Sequence, residues 1–184
     1  HRSVWLESRG ATHLGDLVVD TDFDPASNEG SASITASIKG ASAGWSVRCR
    51  LEAPGQAGAI AEANAPIDQF DTSQSVGDQW APSYSFEGYE ASLALSVANA
   101  SPWSAEVPDR YRLVTELLDP SGAPTEVHET WIGFTRVETT DRRLRVNGRS
   151  VVLSGVNRHD HHPENGKTCT REDIRAELLT MKQH

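Results

Sequence analysis

Between residues 14 and 137, apolar side chains recur at every second position in short runs, and turn-forming residues separate the runs. Ala32, Ile34, Ala36 and Ile38 fall on one side of residues 31–39, with Ser33, Thr35, Ser37 and Lys39 on the other. Successive side chains of an extended chain point to opposite faces, so this alternation predicts a strand with one buried face. Trp45, Val47, Cys49 and Leu51 repeat the pattern against Arg48 and Arg50, which places the Cys49 thiol in a core. Leu14 to Phe23 predicts another strand, closed by Asp24-Pro25 and Asn28-Glu29-Gly30. Further strands are predicted over 60–65, 91–97, 111–118 and 127–137, the last two joined through the turn residues Asp119-Pro120-Ser121-Gly122. About seven short strands without a helical pattern predict a mainly β, antiparallel two-sheet sandwich. Its expected core contains Ile34, Ile38, Val47, Cys49, Leu51, Leu113, Trp131 and Phe134. The stretch 68–90 reads as a polar, irregular connection.

The pattern changes after Val137. Residues 144–146 and 150–153 flank Asn147-Gly148, the favoured pair for a tight hairpin turn. A polar stretch, 157–168, precedes a predicted helix with Thr170 as its N-cap and Asp173 three residues on. Ile174, Leu178 and Met181 then recur on one helix face. Strand, loop and helix in that order read as the opening unit of an α/β repeat cut short.

Charge supports the same division. Residues 1–137 carry eight Lys/Arg against nineteen Asp/Glu, whereas 138–184 carry nine against seven, within a formal net charge of −9. The acidic first part argues against a nucleic-acid partner, whose phosphates need a basic footprint. No run is long and apolar enough for a membrane helix, and the opening residues lack a signal-peptide core. His1 is not an initiator Met, and alternation begins at once, which reads as a start inside a longer protein. Cys49 and Cys169 are the only cysteines, too few and too far apart for a disulfide framework or paired zinc ligands.

One cluster carries candidate chemistry: Asn157-Arg158-His159-Asp160-His161-His162-Pro163. Neighbouring residues converge poorly on one ion, which counts against a metal site. Ser154 is the only nearby nucleophile and lies in no nucleophile elbow. Two readings stay open on the residues alone: a solvated polar loop, or the rim of a site at the C-terminal end of a barrel strand.

The string from Leu153 to Pro163 resembles the segment that opens the barrel of the glycoside hydrolase family 2 β-galactosidases of the lacZ type. Residues 145–152 and 178–183 fit the same family, as do Trp103 to Tyr111 and Ile132-Gly133-Phe134 upstream. The resemblance is dense over 99–184 and thin over 1–98. It implies that residues 1–6 leave a jelly-roll sugar-binding domain. Residues 7–137 would then form an immunoglobulin-like β-sandwich, and 138–184 begin a TIM (β/α)8 barrel. It implies a retaining β-galactosidase acting on terminal non-reducing β-D-galactose, as in lactose. His159 would contact a sugar hydroxyl most strongly in the transition state, with Asn157, Arg158 and Asp160 supporting it. His161 and His162 would matter less, since adjacent side chains on a loop cannot all face one pocket.

Retaining glycosidases need two carboxyl groups about 5–5.5 Å apart. The resemblance places both catalytic glutamates on later barrel strands, so the 184 residues alone should be inactive. Asp160 and Glu164 share one loop and are not assigned as that pair. The resemblance also implies Mg²⁺ and Na⁺ in the whole enzyme with main ligands outside these residues, a homo-oligomer, and a cytoplasmic location. Two departures from the family pattern stand out. Thr135 takes the place of an arginine, with Arg136 one position later, which puts that arginine's ion pair in question. Asp160 takes the place of a glutamate. A reading of another class is a non-catalytic sandwich, used as a spacer or for carbohydrate binding. Trp45, Trp103 and Trp131 fit core or interface packing better than a sugar platform.

Overall fold

Contacts in the computed structural model, which describes residues 4, 6–41, 43–71 and 87–183, divide the chain into two compact units meeting between Val151 and Val152. The first holds a β-sandwich. One sheet orders β1 (His13–Asp24), β2 (Glu29–Lys39), β6 (Glu87–Val97) and β5 (Asp68–Asp71). The other orders β4 (Ala59–Pro66), β3 (Ser46–Glu52), β7 (Tyr111–Leu118) and β8 (Pro124–Ile132). Every pairing is antiparallel.

The alternation read from the sequence becomes the packing. Ile34 and Ile38 on β2, Val47, Cys49 and Leu51 on β3, and Leu113 on β7 join Phe134 in one buried cluster drawn from both sheets. Burying each large side chain of this kind contributes about 1.5–3 kcal/mol. Cys49 packs as a small hydrophobe, and burial pushes its thiol pKa up. At the expected hairpin, the Asp119 carboxylate accepts the Ser121 and Ala123 N–H groups, and Gly122 takes the left-handed conformation at φ 83°.

Several expectations are corrected. Trp131 is 56% exposed, on the outer face of β8, with the Arg110 guanidinium 5.6 Å from its ring centre. Trp131 and Phe134 are three positions apart, and a period of two cannot turn both inward; Ile132 and Phe134 take the core side. The stretch 68–90 is also less irregular than it reads. Its first four residues form β5 and its last four open β6, paired Gln69 to Tyr89 and Phe70 to Gly88. Backbone pairing needs no apolar alternation, so a short polar edge strand leaves little trace in the pattern. The middle of that stretch, 72–86, lies outside the described residues.

The strand expected over 127–137 stops at Ile132 and resumes as β9 (Val137–Thr140), which pairs with β10 (Arg143–Val146); β10 pairs in turn with β11 (Arg149–Ser150). In the gap, Gly133 lies against Trp103: a Cβ there would sit 2.8 Å from the Trp103 Cβ. The Phe134 carbonyl accepts the Trp103 N–H at 2.8 Å. Arg136 does find an ion pair, reaching both oxygens of Asp22 at 2.9 and 2.5 Å, which holds the Asp22 carboxyl below the usual carboxylate range. Asn147, in the left-handed region at φ 50°, accepts the Arg136 N–H at 2.9 Å and donates to the Trp103 carbonyl at 3.0 Å. The hairpin turn thus fastens the small sheet to the sandwich.

The second unit holds the 157–168 loop and helix α1 (Arg171–Gln183). The predicted cap is present: Thr170 N–H and Oγ1–H donate to Asp173 Oδ2, and Asp173 N–H donates back to Thr170 Oγ1. The apolar stripe is there but uncovered, with Leu178 53% and Met181 41% exposed and no helix residue buried. The strand expected over 150–153 stops at Ser150, and Val152 and Leu153 stand in water. The Val151 N–H still donates to the Leu144 carbonyl at 3.0 Å, but a barrel strand needs hydrogen bonds along its length, and among the described residues none bonds the backbone of Val152 or Leu153.

Candidate functional site on the Asn157 to Thr168 loop

Arg158 anchors the loop. Its Nε–H donates to Glu177 Oε2 on α1 at 2.7 Å, and Nη1–H donates to Asp160 Oδ1. Flanked by two carboxylates, the guanidinium is held in its charged form. One oxygen of Asp160 is thereby engaged within the loop. Glu177 had no assigned role in the sequence; its signal was an acid set beside the Ile174, Leu178 and Met181 stripe.

The three imidazoles are not equivalent. His159 and His161 are exposed, and among the described residues none hydrogen-bonds either ring. His162 is half-buried: its Nδ1 accepts the N–H groups of Glu164 and Asn165, each at 3.1 Å. Its backbone pairs both ways with Gly166, at 2.7 and 3.0 Å. Of the four residues read as site candidates, the structure joins Arg158 to Asp160. Asn157 and His159 are exposed and bonded to neither. Chemically, the loop presents a free imidazole, able to donate or accept one hydrogen bond, on a backbone stiffened from both sides. Among the described residues no three His, Cys, Asp or Glu side chains stand together so as to hold a metal ion.

Comparison with known proteins gives this arrangement a context. The profile of "Glycosyl hydrolases family 2" matches residues 12–134, and that of the family's TIM barrel domain matches 137–184. The chain belongs to glycosyl hydrolases family 2. A β-galactosidase of Vibrio vulnificus is 32% identical to this family 2 chain over 187 aligned residues, covering all of the chain and 17% of the relative. One from Enterobacter cloacae is 41% identical over 92 residues, half of the chain and 9% of the relative. The chain thus spans less than a fifth of these relatives' length. Among solved structures, the β-glucuronidase of Ruminococcus gnavus superposes with TM-score 0.69 over 93% of the chain and 24% of its own, at 19% identity. That of Bifidobacterium dentium gives 0.70 over 94% and 25%, at 17% identity. These likenesses bear on the fold: a family 2 sandwich followed by the start of its TIM barrel.

Proposed function

We propose that the chain is a segment of a retaining β-galactosidase that hydrolyses terminal non-reducing β-D-galactose residues, as in lactose. The observation that carries this is the 32% identity with the Vibrio vulnificus β-galactosidase across every residue of the chain. The glucuronidases share the fold at under a fifth identity, so they bear on architecture and leave substrate choice to the closer sequences. A carbohydrate-binding module is the weaker reading. Among the described tryptophans, Trp45 and Trp103 are half-buried and Trp131 stands alone in water, which makes no aromatic row.

In this reading His159 donates to a galactose hydroxyl as the oxocarbenium-like transition state forms. Arg158 and Asp160, tied to Glu177, fix the backbone on either side of it, and Asn157 completes the support. The catalytic glutamates and the main Mg²⁺ and Na⁺ ligands lie on other parts of the enzyme, which works as a cytoplasmic homo-oligomer. Among the described residues no helix is long and apolar enough to cross a membrane. The test is His159→Ala in the full-length enzyme carrying this segment. Loss of a bond made mainly in the transition state should lower kcat by roughly 10²–10³-fold with KM little changed. Near-normal kcat would remove His159 from the mechanism.

A further inference from the structure

The His162 to Gly166 loop is built in a way that residue spacing, which sets His161 and His162 side by side, does not contain. An Asn or Asp side chain often closes a turn by accepting the backbone N–H groups two and three residues ahead. His162 does this with a ring nitrogen. Its Nδ1 takes the N–H of Glu164 and of Asn165 at 3.1 Å, while its own N–H and C=O pair with Gly166. The residues between suit that closure. Pro163 has no N–H to satisfy and a fixed φ, and Gly166 takes φ 67°, which a side chain would strain.

Two N–H groups aimed at Nδ1 leave no room for a proton on it, so the ring must carry its proton on Nε2. That edge faces Asp173 Oδ1 at 4.0 Å, on the carboxylate that caps α1. The loop is therefore tied to α1 at one end by Arg158 reaching Glu177 and closed on itself at the other by His162, with His159 between the two.

We infer that His162 is a positioning residue: as the Nε2–H tautomer it acts as a side-chain turn closure that fixes the segment carrying His159. Its importance for turnover rests on the proposed role of His159, whereas the tautomer and the turn closure do not.

Two measurements keep these apart. In the 184-residue chain, ¹⁵N shifts of His162 should show an unprotonated Nδ1 and a protonated Nε2, and the Glu164 and Asn165 amides should exchange slowly with solvent. His162→Ala should speed their exchange at least tenfold. His162→Asn, whose Oδ1 can accept the same two N–H groups, should restore protection; His162→Gln, which places its polar end near the Nε2 position, should not. A proton on Nδ1, or equal exchange in the Asn and Gln variants, would overturn the closure. In the full-length enzyme His162→Ala should lower kcat about 10- to 100-fold through misplacement of His159, with recovery in His162→Asn. If protection follows the predicted order but kcat does not, the positioning role is overturned while the turn closure stands. If His159→Ala itself leaves kcat unchanged, the function assigned to His159 fails, and the ¹⁵N and exchange results still decide the closure.

Discussion

Gly30 is expected to be among the least replaceable residues of the sandwich, although it stands in β2 with no special backbone conformation. A Cβ built there would lie 2.6 Å from Cγ and Cδ2 of Phe134 and 2.9 Å from the Ala100 Cβ, where ordinary contact begins at 3.4 Å. The methyl group of Gly30→Ala is thus about 0.8 Å too close to a ring that cannot retreat, in a core packed to crystal density. Phe134 is fully buried and its ring centre is 4.9 Å from that of Tyr111. Overpacking of this kind costs about 1–3 kcal/mol, a large share of a total stability of about 5–15 kcal/mol. For a chain of this size that corresponds to a fall in Tm of roughly 3–10 °C. Phe134→Ala alone should cost about 3–5 kcal/mol, and it removes Cγ and Cδ2, the ring atoms that the new methyl meets. Urea unfolding of the two single variants and the double variant then forms a cycle. We expect a coupling of about 1 kcal/mol or more, with Gly30→Ala costing clearly less once Phe134→Ala is in place and only the Ala100 contact remains. Additive losses would refute the steric argument.

Asn147→Gly keeps the left-handed turn but removes the side-chain bonds to Trp103 and Arg136. Amides of β9, β10 and β11 should lose protection by about 1–3 kcal/mol while β2 and β7 keep theirs, and unchanged exchange would show that the small sheet needs no such fastening. The Asp22 carboxyl, lowered mainly by its hydrogen bond with Arg136, should titrate below the usual aspartate value by NMR. Because the folded pKa is the lower one, its stabilisation is complete above the unfolded pKa and disappears as pH falls through the folded value. Asp22→Asn should therefore be destabilising at neutral pH and nearly neutral in strong acid; a gap independent of pH would contradict this. The 184-residue chain alone should show no turnover of a chromogenic β-galactoside above background, and inhibitor-sensitive turnover by the pure chain would refute the placement of both catalytic glutamates elsewhere.

The sandwich was legible because burial on one face leaves a period of two in the residues themselves. β2 and β3 show it without interruption, and their boundaries fall within about two residues of the pattern. β5 escaped because a short edge strand of Asp, Gln and Phe is specified by its partner β6 more than by its own residues. Trp131 reads as core by its hydrophobicity, but parity along β8 turns Ile132 inward and Trp131 out. Gly30 read as a turn residue, since only the arrival of Phe134, far along the sequence, reveals why a side chain is excluded there. In the loop, residue types and resemblance singled out His159. The division of labour among three imidazoles depends on which backbone N–H groups meet which ring nitrogen, a matter of geometry that spacing cannot supply.

The uncovered side chains of Val152, Leu153, Leu178 and Met181 bear on the order of events during synthesis. A polypeptide leaves the ribosome from its N-terminus, and domains generally fold as units as they emerge. Everything the sandwich core needs has been made once Phe134 is clear of the tunnel, whereas the helix beyond has nothing yet to condense upon. Wherever translation continues past these residues, a finished scaffold waits beside a half-made neighbour. Over that interval such apolar surface is a handle for chaperones and a target for proteases.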